Sequence, residues 1–129
     1  MKKSGILNRH LAGALAELGH GDLVMVCDAG LPIPQGPRVV DLAFRAGVPS
    51  FAEVLDGLLA EVVVEGATAA AEIRTANPPA TRLLESRLPD LALIPHDALK
   101  ALTPTTRLVV RTGEARPYAN VVLRCGVFF

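Results

Sequence analysis

The sequence predicts an α/β domain, a three-layer α/β/α arrangement around a Rossmann-like, mostly parallel (mixed) sheet of about six strands. Three observations predict it. Short apolar runs such as Leu23-Val24-Met25-Val26-Cys27 carry no polar alternation, so they read as strands buried on both faces. Helical periodicities fall between these runs, as connections in an α/β sheet require. Half of the 129 residues (50%) are apolar, with a mean hydropathy of +0.38. A sheet covered on both faces, together with a subunit interface, would absorb that excess. One domain over residues 1–129 is expected, since a chain of this length buries roughly 65–70% of its unfolded surface and shows no repeat, low-complexity segment or linker.

Taken in order, Ile6, Leu7, Leu11, Ala14, Leu15 and Leu18 recur at steps of three and four, the pattern of an amphipathic helix that Gly19 ends. Leu23–Cys27 is the first strand. The segment from Asp28 to Pro34 then makes a stiff loop with an acid at its base, because Gly30 permits a turn while Pro32 and Pro34 block helix and central strand. Arg38–Phe44 reads as the second strand. Ser50-Phe51-Ala52-Glu53 fits a capping box opening a helix, with Phe51, Val54, Leu55, Leu58 and Leu59 as its buried stripe. Glu61–Glu65 is a strand candidate with an acid at each solvated end, and the alanine-rich stretch from Thr68 to Ala76 is expected to be helical. A short helix follows from about Ala80 to Arg87. Leu91–Ile94 is a strand, and Asp97-Ala98-Leu99-Lys100 begins one or two helical turns. Arg107–Arg111 and Ala119–Leu123 are the last strands, joined by a polar loop from Thr112 to Pro117.

Composition excludes several functions. With 13 basic and 13 acidic side chains the formal net charge is zero, so binding to a phosphate backbone has no electrostatic footprint. No apolar run approaches the ~18 residues of a membrane span. Lys2 and Lys3 followed by Ile6-Leu7 imitate the start of a signal peptide, but Asn8, Arg9 and His10 break the stretch, and a cytoplasmic protein is expected. Cys27 and Cys125 suit reduced, buried thiols better than a disulfide.

The polar residues falling at strand ends are His20, Asp28, His96, Lys100, Tyr118 and Asn120. A carboxylate just beyond a buried strand is well placed for a ligand, because open α/β sheets bind ligands outside the carboxyl ends of their strands; capping the next turn is the alternative for Asp28. His20, between Gly19 and Gly21, is an accessible turn histidine with or without a task. His96 and Lys100 are four apart and can share a helical face. Tyr118 beside Asn120 pairs an aromatic face with an amide, a common way to hold a sugar, though anchoring the loop would use the same residues. The chain has no phosphate-binding loop, no G-x-G-x-x-G and no C-x-x-C, so no cofactor is expected. Its histidines lack metal-ligand spacing, so no metal is expected either. Ser4, Ser50 and Ser86 lie in or at the start of helical stretches, which leaves no nucleophile. General acid–base catalysis by histidine on a small polar substrate is the economical chemistry.

Several of these segments together resemble the D-ribose pyranase family in order and spacing: Gly19-His20-Gly21-Asp22, Val26-Cys27-Asp28-Ala29-Gly30-Leu31-Pro32-Ile33-Pro34, Gly47-Val48-Pro49-Ser50-Phe51, His96, and Thr112-Gly113-Glu114 through Pro117-Tyr118-Ala119-Asn120. The resemblance runs from Met1-Lys2-Lys3 to Cys125-Gly126-Val127. The segment from Ala80 to Pro95 departs from the pattern, being short and rich in alanine and leucine. L-fucose mutarotases share the Gly-His-Gly-Asp turn and differ after the aspartate, where this chain keeps Gly30-Leu31-Pro32-Ile33-Pro34. The resemblance implies cofactor-independent interconversion of β-D-ribopyranose and β-D-ribofuranose, supplying the furanose for phosphorylation. It also implies His20 as proton donor, Asp28, His96, Tyr118, Ala119 and Asn120 as sugar-binding residues, and Lys100 as a further pocket residue. A homodecamer with sites between neighbouring subunits is implied as well. Three other readings stand beside it: an L-fucose-type mutarotase, a non-catalytic sugar-binding module, and a phosphotransfer domain using His20.

Overall fold

The computed structural model describes residues 1–129. Six strands form one sheet: β1 (Leu23–Cys27), β2 (Arg38–Asp41), β3 (Val64–Ala70), β4 (Leu91–Ile94), β5 (Leu108–Arg111) and β6 (Val121–Cys125), in the order β2-β5-β1-β6-β3-β4. β1, β5 and β2 run parallel to one another, and β3 runs parallel to β4. Only β6 is reversed, pairing antiparallel with β1 on one side and β3 on the other. The start of β6 therefore lies at the same end of the sheet as the carboxyl ends of the other five strands.

β1 is buried on both faces, as its unbroken apolar run requires. Its alternate residues feed two cores. Val24 and Val26 join the larger one, beneath α1 (Arg9–Ala16), α2 (Phe51–Leu59), α3 (Ile73–Ala76) and α4 (Pro78–Arg87). Met25 and Cys27 face the smaller one, which holds Leu31 from the proline loop and Leu99 from α5 (His96–Leu102). The three layers are unequal: four helices cover one face, one helix and a loop the other. Phe44, Val127, Phe128 and Phe129 remain exposed.

Several elements differ from the sequence expectation. The largest correction is at residues 61–76. Glu61 and Val62 donate their amides to the Leu58 carbonyl and so finish the turn of α2, and the strand starts only at Val64. Thr68, Ala69 and Ala70, expected in a helix, extend that strand: Thr68 pairs with Val122, Ala69 with Val121 and Ala70 with Ile94. Alanine's helix propensity is a weak preference that tertiary pairing overrides, and here the small side chains fit between helix layers. Helix remains only over Ile73–Ala76.

Other elements shift by a few residues. Asn8 caps α1, accepting from the His10 and Leu11 amides, which leaves Ile6 and Leu7 outside it. Ser50 caps α2 by accepting from the Glu53 amide at 3.1 Å. The Phe51 amide points instead to Glu114 Oε1, 3.4 Å away. β2 ends at Asp41 opposite Arg111, where its partner β5 also ends, and the chain then folds into a tight turn through Arg45 and Val48. β6 starts at Val121 rather than Ala119, because Tyr118 takes a positive φ of 58° and the Asn120 amide closes a turn onto the Tyr118 carbonyl.

Candidate functional site

The reversal of β6 gathers the site. Asp28 follows β1, His96 follows β4, and Tyr118 to Asn120 precede β6, so all of them meet at the carboxyl end of the parallel strands. There Asp28, His96, Tyr118 and Asn120 line a cleft of about 230 Å³ together with Gly30, Leu31 and Pro32. Pockets for drug-sized ligands run about 300–1,000 Å³, so this one suits a smaller molecule.

Asp28 and Asn120 hold each other in a reciprocal pair. The Asp28 amide donates to Asn120 Oδ1 at 2.9 Å, and Asn120 Nδ2 donates to Asp28 Oδ2 at 3.0 Å. The other carboxylate oxygen accepts from the Gly30 amide at 2.9 Å, which fixes the turn into the proline loop. Turn capping and a place at the strand-end cleft, separate possibilities in the sequence, are thus combined in one residue. Asn120 is buried while Asp28 is half-buried and borders the cleft. The His96 and Tyr118 rings meet edge to face with centroids 4.9 Å apart. His96 Nδ1 is buried without a protein partner, so the ring keeps a polar atom for a ligand.

Supporting contacts converge on the same loops. Asn77 Nδ2 donates to the Pro117 carbonyl at 2.9 Å, and Glu72 accepts from the His96 amide at 2.7 Å. The Arg111 guanidinium donates to the Ala29 carbonyl and to Asp41. Thr112 Oγ1 donates to the Cys27 carbonyl at 2.8 Å. Asn77, Glu72 and Arg111 did not stand out in the sequence, since each holds a loop backbone, while Thr112 stood only within a motif. Cys27, next to Asp28, is fully buried, and burial first, then the Asp28 charge, pushes its thiol up to about 12. It is an inert packing thiol. Burial also raises the Cys125 thiol, with Asp22 and Glu65 adding to it.

Two of the expected sugar-binding residues stand apart from the cleft lining. Lys100 is exposed, one turn along α5 from His96, with its Nζ 3.1 Å from Asp97 Oδ1. Ala119 is fully buried with its methyl in the larger core, so only its backbone can serve a ligand.

His20 lies at the other end of the sheet. It precedes β1, whereas Asp28 follows it, and the five residues of β1 put roughly 16 Å of strand between the two ends. Exposed in its turn, His20 places Nε2 3.0 Å from Glu65 Oε2. Arg124 Nε holds the second Glu65 oxygen at 2.9 Å. Glu65, expected as a solvated strand end, is the residue that sequence reasoning missed here; an acid set between Val64 and Gly66 inside an apolar stretch was its signal. One chain therefore carries two separate groups, a cleft and a histidine–carboxylate pair.

The sequence profile of the RbsD / FucU transport protein family matches residues 1–128. The chain belongs to this family. Among its relatives, the D-ribose pyranase of Streptomyces avermitilis is 78% identical over 129 residues, covering 100% of both chains. The structure of Bacillus subtilis RbsD complexed with D-ribose superposes with a TM-score of 0.96 at 44% identity, again over 100% of each chain. The fucose mutarotase of Streptococcus pneumoniae, solved with L-fucose, reaches a TM-score of 0.79 over 95% of each chain at 20% identity, a likeness of fold alone. No helix of this RbsD / FucU chain is long and apolar enough to cross a membrane.

Proposed function

We propose that this chain is an isomerase that interconverts the pyranose and furanose forms of β-D-ribose without a cofactor, supplying the furanose for phosphorylation in the cytoplasm. The observation that carries the reading is 78% identity over the whole length to a D-ribose pyranase. The cleft fits it in size and chemistry: a buried-edge carboxylate, an amide and two aromatic rings can hold hydroxyls and cover C–H groups. An L-fucose preference has the shared RbsD / FucU family behind it and a solved fucose mutarotase only 20% identical.

Opening a pyranose breaks the C1–O5 bond. The bond electrons go to the ring oxygen, which takes a proton from an acid, while the anomeric hydroxyl loses its proton to a base and becomes the aldehyde oxygen. Closing through the 4-hydroxyl runs the same exchange in reverse: that hydroxyl loses its proton as it attacks C1, and the aldehyde oxygen is protonated. In our reading His20 is the acid of the first step and the base of the second, and Asp28 or a water serves the anomeric hydroxyl. Asp28 and Asn120 orient hydroxyls, His96 and Tyr118 wall the ring, and the Ala119 backbone completes the contact. Lys100 is its outermost member and reaches the sugar by exchanging its Asp97 partner. Positioned proton transfer contributes about 10²–10⁴-fold, which suffices for a reaction that already runs in water.

His20 and the cleft lie at opposite ends of one sheet, so we assign the complete site to two copies, one lending the cleft and the next lending His20. A closed ring, a homodecamer in our reading, satisfies that head-to-tail arrangement. Exposed Phe44, Phe128 and Phe129 and the thinly covered face around α5 supply apolar surface for such contacts. Saturation-transfer NMR between ribose anomer signals tests the activity. Faster exchange with ribose than with fucose, lost in His20→Ala of unchanged assembly, is expected; binding of ribose with no change in exchange would leave only a sugar-binding module.

A further inference from the structure

The pair His20–Glu65 and the strand irregularity beneath it point to a role for a residue outside the cleft. Along β3 and β6, Val64 pairs with Cys125 and Gly66 with Arg124, so two steps on β3 oppose one on β6 and Glu65 is the extra residue of a β-bulge. Bulges re-aim side chains beside active sites. Here the bulge aims a carboxylate at His20 Nε2, 3.0 Å away, while Arg124 Nε fixes the other oxygen at 2.9 Å. Gly126 leaves the room: a Cβ there would lie 3.3 Å from Glu65 Cβ and 3.4 Å from Oε2. A pair this exposed adds little to stability, so stability does not account for a carboxylate held from two sides.

We propose that Glu65 is a positioning residue that selects the working nitrogen of His20. The proposal rests on the reading of His20 as the proton donor. An ionised carboxylate only accepts, so Nε2 carries the hydrogen and donates to Glu65. Nδ1 is then the nitrogen left for the sugar. Charged, the ring gives the Nδ1 proton to the ring oxygen as C1–O5 breaks; neutral, it takes the 4-hydroxyl proton on Nδ1 as the furanose closes. Glu65 accepts from Nε2 throughout and keeps the ring from turning between the two transfers. Arg124 keeps the carboxylate in place.

Nitrogen-15 NMR of histidine-labelled protein and exchange kinetics test this together. In the wild type, the neutral His20 ring is expected as the Nε2–H tautomer. Glu65→Gln should lower kcat about tenfold, part of what positioned proton transfer contributes, with His20 nitrogen shifts moved toward a tautomer mixture. KM for ribose should stay within about twofold, because the cleft is untouched. Glu65→Asp, which keeps the charge, should fall between the two. An Nδ1–H tautomer in the wild type overturns the proposal, and this readout decides even if the variants fail to assemble. Full kcat with unmoved nitrogen shifts in Glu65→Gln overturns it as well. Full exchange in His20→Ala would instead overturn the reading of His20, and the proposal with it.

Discussion

Asn120 does two jobs that a smaller residue cannot share. Its side-chain oxygen accepts from the Asp28 amide, and its nitrogen donates to the Asp28 carboxylate. Asn120→Ala would leave the Asp28 amide without an acceptor in a nearly closed environment, at a cost of about 1–3 kcal/mol. Denaturant unfolding should register that loss, and ribose titration should show weaker binding, since Asp28 is no longer held. The neighbouring thiol makes a pH prediction. Cys27 ionises at about 12 in the folded chain against 9.0 when free. A raised thiol keeps its proton in the native state, so its contribution is complete below pH 9 and is lost as pH climbs from there toward 12. Cys27→Ala lacks that ionisation. The stability gap between wild type and variant, measured by urea unfolding at several pH values, should therefore narrow through this window; a constant gap would contradict the assignment.

At the scale of elements, the legible parts were those whose pattern is local. The all-apolar run of β1, the Ser50 cap and the proline loop after Asp28 each sit where their residues required. The alanines of β3 were misread because their place is set by Val121, Val122 and Ile94, residues distant in sequence. Reversal of β6 was equally invisible, yet it brings Tyr118 and Asn120 to Asp28. Of the site, the cleft residues were legible as strand ends, while Glu65 and the separation of His20 depend on pairing and direction. The loop from β5 toward β6 illustrates how an element sets the site. Gly113 donates its amide to the Pro49 carbonyl and accepts from the Gly47 amide, and a Cβ on it would run into the Val48 carbonyl and lie 2.7 Å from Arg45 O. The adjacent Glu114 carbonyl holds the Ala29 amide, one residue from Asp28. Gly113→Ala should thus cost at least about 2 kcal/mol, as overpacking against backbone does. Ribose binding should weaken too, because the displaced strap carries the Asp28 loop; thermal melts and titrations check both.

The whole molecule poses the question that the single chain leaves open, because His20 and the cleft lie at opposite ends of β1. If each working site takes its cleft from one copy and His20 from the next, then two different inactive variants can repair one another. His20→Ala keeps an intact cleft, and Asp28→Asn keeps an intact His20. In a ring assembled from an equal mixture, a site works only when its cleft comes from the first and its histidine from the second, which random assembly gives for about a quarter of the sites. Unfolding the two variants together and refolding them should therefore restore about a quarter of wild-type exchange, whereas the same proteins refolded separately and then combined should restore none until subunits exchange. Saturation transfer on ribose reads the outcome directly. Were the site built within one chain, by a movement carrying His20 to its own cleft, every chain in the mixture would keep its own defect and activity would stay at the level of the separate variants.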